Sequence, residues 1–142
     1  MEIAALVTWI VAALGGFGLL GMWLRGGGAS GSGGGAPSRL RPPLIFGHFL
    51  LAAIGLVLWI IYLVNDSDGL AWTATVIILV VALLGLTMFA RWVGGGGFRR
   101  DAQADATADP PEQHFPVALV VGHGVFAVAT VVLVLLTVLT ES

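Results

Sequence analysis

Four long apolar runs without a charged residue constrain this chain more than anything else in it. They occupy residues 3–24, 43–64, 70–90 and 116–140. About 20 apolar residues suffice for a helix to cross the hydrocarbon core of a bilayer. Inside that core every backbone N–H and C=O needs a partner within the protein. Without the two-residue alternation of a barrel, only helices supply one. Four buried helices of a water-soluble protein would need polar outer faces, which these runs lack. The composition agrees, since 58% of the residues are hydrophobic, 10% are charged and the mean hydropathy is +1.00. Soluble domains carry roughly 25% charged residues. The expected fold is therefore all-α: a four-transmembrane-helix up-down bundle, one integral membrane domain over residues 1–142. Its spans are expected at about 3–24, 43–64, 70–92 and 116–140. Glu2 precedes the first run and Arg25 follows it, so that run is expected to be a retained span and not a secretory leader.

The same inventory removes whole classes of function. A net charge of −2 excludes a basic nucleic-acid module, and no nucleic acid is expected as a partner. The absence of cysteine removes disulfides, thiolate metal sites, iron–sulfur clusters and cysteine nucleophiles. No Ser-His-Asp or HExxH set occurs. No Asp or Glu lies inside a span, so an ion-coupled carrier lacks its usual carboxylate.

The arginines set an orientation. Arg25, Arg39 and Arg41 lie in the first loop, and Arg91, Arg99 and Arg100 in the third. The second loop and both tails carry none. The positive-inside rule then puts loops one and three in the cytoplasm and both termini outside, in a multi-pass protein of the plasma membrane. Trp23 and Trp92 are expected at the inner interface, and Trp59, Tyr62 and Trp72 toward the outer one. The Gly/Ser tract over residues 26–35 reads as a flexible tether, and residues 94–97 read similarly. The acidic stretch over residues 101–112 reads as a mobile, solvated loop. The threonines within the spans are expected to hydrogen-bond to their own helices.

The chain also repeats itself. Gly47-His48 with Ala52 in the second span matches Gly122-His123 with Ala127 in the fourth, in a shared G-H-x-x-x-A pattern. In the first and third spans Ala13-Leu14, Gly16 and Trp23 fall on Ala82-Leu83, Gly85 and Trp92. This reads as a two-fold internal hairpin repeat. Apolar helices match easily by chance, but histidine is rare inside spans, so the paired Gly-His carries most of the weight.

Both histidines lie roughly 8–11 Å above the start of their helices, counted at 1.5 Å per residue. In an up-down bundle the second and fourth helices occupy diagonal corners. Two imidazoles at matching depth would then face each other across the centre, as a bis-histidine haem requires. In that reading His48 and His123 are the iron ligands. Gly47, Gly122, Ala52 and Ala127 leave room for the macrocycle, and Arg39 and Arg41 are candidate partners for its propionates. Other uses of the histidines stay open: hydrogen bonds joining helices, or transport. Met22 and Met88 read as packing residues, and His114 as a solvated interfacial histidine. The glycines at 15, 16, 18 and 21 read as a close-packing face, for the bundle itself or for a partner.

On these two Gly-His pairs and four spans, the chain resembles small four-helix membrane cytochromes of b type, the haem-bearing anchor subunits of respiratory oxidoreductases. The resemblance implies a haem b cofactor and electron transfer to or from quinone or a partner redox subunit. It implies assembly into a larger complex or, through the glycine face, a homodimer. The chain departs from that pattern in having one histidine pair near one face. Cytochromes that carry electrons across the whole membrane usually hold two stacked haems. A non-catalytic structural or assembly subunit is the alternative, and a small transporter a third class.

Overall fold

The computed structural model describes residues 1–30, 36–98 and 109–140. Four helices dominate: α1 (Glu2–Arg25), α2 (Pro42–Asn65), α3 (Asp68–Gly94) and α4 (Val117–Thr140). All four are long and apolar enough to cross a membrane. A short 3-10 turn, Pro111–His114, precedes α4. Among the described residues there is no strand.

Local chemistry explains the helix ends. Pro42 and Pro43 open α2, where the missing N–H groups have no intrahelical partner to lose. The second loop is shorter than the sequence suggested. Asp66 adopts the left-handed conformation, its N–H donating to the Tyr62 carbonyl, and Ser67 already caps α3. A two-residue connection makes α2 and α3 an antiparallel hairpin.

The packing is not that of four equal neighbours. The helices form two close pairs, α1 with α4 and α2 with α3. These two layers meet more loosely, through α3 with α4 and α1 with α2. The remaining combinations, α1 with α3 and α2 with α4, are the diagonals. The buried apolar core is itself divided. One cluster, including Trp9, Trp59, Tyr62, Ile78 and Val134, fills the end near the second loop. The other, Trp23, Leu40, Ile45, Trp92 and Phe115, fills the end near loops one and three. The level of His48 and His123 lies between them. Most other large apolar side chains point outward, as lipid-facing residues would.

The tryptophans depart from expectation. Trp72 is exposed, but Trp23, Trp59 and Trp92 are buried plugs at the helix ends. An indole N–H out of water needs an acceptor, and each has one. Trp23 donates to the Ser38 hydroxyl at 2.9 Å, Trp92 to the Glu112 carbonyl at 3.0 Å and Trp59 to the Glu2 carbonyl at 3.3 Å.

The glycine tracts are also corrected where they can be described. Gly26–Gly28 and Gly95–Gly97 are matched turns folded over those indoles. Gly28 N–H donates to the Trp23 carbonyl and Gly97 N–H to the Trp92 carbonyl, each at 3.0 Å. Gly27 and Gly96 take φ of 77° and 95°, which favours glycine. A Cβ on Gly28 would overlap the Trp23 ring, and one on Gly97 the Trp92 ring. Residues 31–35 of the expected tether, Arg99, Arg100 and residues 101–108 of the acidic stretch lie outside the described residues. The threonines behave as expected: Thr75, Thr130 and Thr137, for example, each donate to the carbonyl four residues earlier.

Candidate functional site

His48 on α2 and His123 on α4 meet across the bundle diagonal. Their ring centroids are 6.3 Å apart and their planes are inclined by 67°. Each histidine is half-buried, and each is anchored within its own layer. His48 Nδ1 lies 3.0 Å from the Val81 carbonyl of α3, and His123 Nδ1 lies 2.8 Å from the Ala12 carbonyl of α1. A carbonyl only accepts, so Nδ1 carries the proton in both rings. A neutral ring bonded in this way keeps its lone pair on Nε2.

Two glycines make this anchoring possible. In a helix the residue at i+4 stands one turn above the carbonyl of residue i. Here those residues are Gly16 above Ala12 and Gly85 above Val81. A Cβ on Gly16 would come within 3.2 Å of His123 Cε1, and one on Gly85 within 3.1 Å of His48 Cε1. Without side chains at these points each imidazole lies flat enough on the partner helix to reach its carbonyl. Gly15 adds a further contact, a Cβ there lying 3.4 Å from His123 Cβ. The two half-sites are thus the same device repeated: histidine, partner carbonyl and glycine one turn on.

The other residues singled out from the sequence fall into four groups. Gly47 and Gly122 precede the histidines, but a Cβ on either would meet nothing within 4 Å. They border open space and are not what the imidazoles rest on; that role belongs to Gly16 and Gly85. Ala52 and Ala127 are half-buried one turn beyond the histidines. Arg39 and Arg41 are not brought to the histidines. They line an open cleft with Ser38, Arg91 and Gly94, on the loop side of the cluster containing Trp23 and Trp92. His114 is exposed.

One residue was missed entirely. Glu112, read as part of a solvated acidic stretch, is fully buried. Its carboxylate accepts from the Ser38 hydroxyl at 2.8 Å and from the Arg39 N–H at 2.6 Å. It ties loop three to loop one beneath the bundle. Nothing local marks this glutamate, because its donors lie more than seventy residues away.

Among the described residues no three His, Cys, Asp or Glu side chains come together to hold a metal ion. Two imidazoles can serve only a group that brings its own remaining donors. The chain matches no family model, no curated protein and no solved structure.

Proposed function

We propose that this protein is a membrane electron-transfer subunit that binds one haem b through His48 and His123. The observation that carries the reading is the facing pair of anchored imidazoles, one from each layer, 6.3 Å apart. Two imidazoles at that separation would be close enough to share one iron, and neutral imidazole is a good ligand for it. The division of the apolar core at the histidine level supports the same reading. So do the looser packing between layers and the small residues around the rings.

The chain's own residues have definable work in this reading. The Ala12 and Val81 carbonyls hold Nδ1–H, which fixes the tautomer and makes Nε2 a stronger donor. Gly16 and Gly85 let the rings reach those carbonyls. The two apolar clusters above and below keep water from the histidine level, and a dry surrounding tunes a haem's potential. Bound there, haem b would supply one-electron redox chemistry. A single such centre needs a donor and an acceptor, so the reading includes a partner redox subunit or quinone. It also places loops one and three in the cytoplasm, as the arginines suggest.

A second reading has its own observation. Each histidine already joins the two helices of its layer through a backbone carbonyl, as a non-catalytic subunit would require. Optical spectra separate the two. Protein purified from haem-replete cells should carry a Soret band that sharpens on dithionite reduction. Colourless protein overturns the first reading in favour of the second.

A further inference from the structure

Beneath the lower apolar cluster, loops one and three leave an open cleft of about 490 Å³ lined by Ser38, Arg39, Arg41, Arg91 and Gly94. Three of its five lining residues are arginines, and all three are exposed. Two of the guanidinium groups are held in place. Arg39 Nη1 donates to the Gly94 carbonyl and Arg91 Nη1 donates to the Arg39 carbonyl, each at 3.2 Å. Each of these bonds occupies one of the five N–H donors of a guanidinium. Among the described residues no carboxylate pairs with any of the three. Glu112, in the same cap, is buried and turned to the Ser38 hydroxyl and the Arg39 N–H. The adjoining start of α2 offers little, because Pro42 and Pro43 have no N–H. Among the described residues the cleft is thus a guanidinium site with unused donors and no carboxylate partner. It lies where α2 begins and α3 ends, and a bilayer around those apolar helices would bring lipid headgroups to that level.

We propose that this cleft binds the phosphate group of an anionic membrane phospholipid. Oriented guanidinium forks match phosphate oxygens bidentately, and basic pockets at helix ends are where anionic headgroups dock. A free phosphate shares that chemistry but lacks the acyl chains that would lie along the exposed apolar faces of α2 and α3. The proposal is independent of the histidine reading.

The test uses the full chain in a neutral detergent, with thermal unfolding measured against added lipid. Phosphatidylglycerol should raise Tm by about 5 °C at saturation, and zwitterionic phosphatidylcholine should not. Arg41→Gln is the first variant, since no hydrogen bond of the described fold uses its guanidinium. It should keep the wild-type Tm without lipid and lose most of the phosphatidylglycerol gain, and Arg41→Lys should restore part of it. Native mass spectrometry should show one tightly held phosphatidylglycerol on the wild type and a several-fold lower occupancy on Arg41→Gln. Equal stabilisation by both lipids overturns the proposal, as does an undiminished gain in the Arg39→Gln/Arg41→Gln double variant. Stabilisation by millimolar inorganic phosphate but not by phosphatidylglycerol overturns the lipid source and assigns the cleft to a soluble phosphate.

Discussion

His48 and His123 are held alike: an Nδ1–carbonyl bond to the partner helix, with a glycine one turn further on. At the loop end the correspondence is only partial: the glycine turns over Trp23 and Trp92 match, but the indole acceptors do not. Trp23 donates its indole N–H to the Ser38 hydroxyl, whereas Trp92 donates to the backbone carbonyl of Glu112. Loop three alone carries a buried carboxylate, and it reaches across to loop one. Symmetry also fails at the flanks of the histidine level. Phe17 and Phe49 form an edge-to-face pair, 5.0 Å between centroids, across α1 and α2. Their equivalents across α3 and α4 in the repeat are Leu86 and Gly124. The difference teaches where the repeat is under constraint. The two half-sites have to meet the same geometric demand from both sides, while the cap only has to close one end of the bundle.

The largest expected effect tests the equivalence of the half-sites. If the two histidines hold haem b as proposed, His48→Ala and His123→Ala should each remove its low-spin spectrum, and to the same degree, because each would supply one of the two protein ligands. Absorption spectra at matched expression check this. A variant at one position that keeps the wild-type spectrum breaks the paired-ligand reading.

Glu112→Ala tests the asymmetry. It removes the acceptor of the Ser38 hydroxyl and the Arg39 N–H inside a buried cap. Each orphaned donor costs about 1–3 kcal/mol, so the loss should be about 3 kcal/mol in a chemical unfolding titration. Glu112→Gln, which keeps one acceptor oxygen, should lose less. Ser38→Ala should cost a similar amount, since it orphans the buried Trp23 indole N–H as well as removing one donor to the carboxylate. If Glu112→Ala costs no more than Glu112→Gln, the carboxylate is not the tie between the loops.

Gly16→Ala and Gly85→Ala sharpen the comparison further. An added Cβ would press on His123 Cε1 at 3.2 Å or His48 Cε1 at 3.1 Å, so the ring must shift by a few tenths of an ångström. A weakened interhelical bond inside a membrane is worth on the order of 1 kcal/mol. The two variants should lose stability by about that amount, equally, with matched reductions in haem occupancy. Gly47→Ala and Gly122→Ala should have smaller effects, because their Cβ atoms would meet open space. The smallest effect is reserved for His114→Ala, which should leave both the spectrum and the stability unchanged. A loss of pigment there would move the ligand set out of the bundle centre.

Much of this architecture is legible in the sequence. Span length and the need to satisfy every backbone polar group in hydrocarbon are local requirements, so residues 3–24, 43–64 and 116–140 could be placed almost to the residue. The helix at 68–94 was underestimated at both ends, because Asp68 and Gly94 are polar or flexible residues that a hydropathy reading assigns to loops. The histidine pair was legible because a two-fold repeat carries equal residues to equal depths. The buried tryptophans were misplaced for a definite reason. Amphipathic rings at span ends usually belong to the interface, and only the presence of Ser38, Glu112 and Glu2 as inward acceptors reverses that preference.

The sequence by itself determined four apolar helices, their alternation up and down, and one imidazole on each of two equivalent helices. These follow from properties of contiguous segments. Only the tertiary structure decided that α1 pairs with α4 and α2 with α3. From that pairing come the Ala12 and Val81 carbonyls as histidine partners, Gly16 and Gly85 as the residues that make room, and Glu112 as a buried link. Each of these contacts joins residues from different helices or loops. Their chemistry depends on a neighbour that no local pattern names.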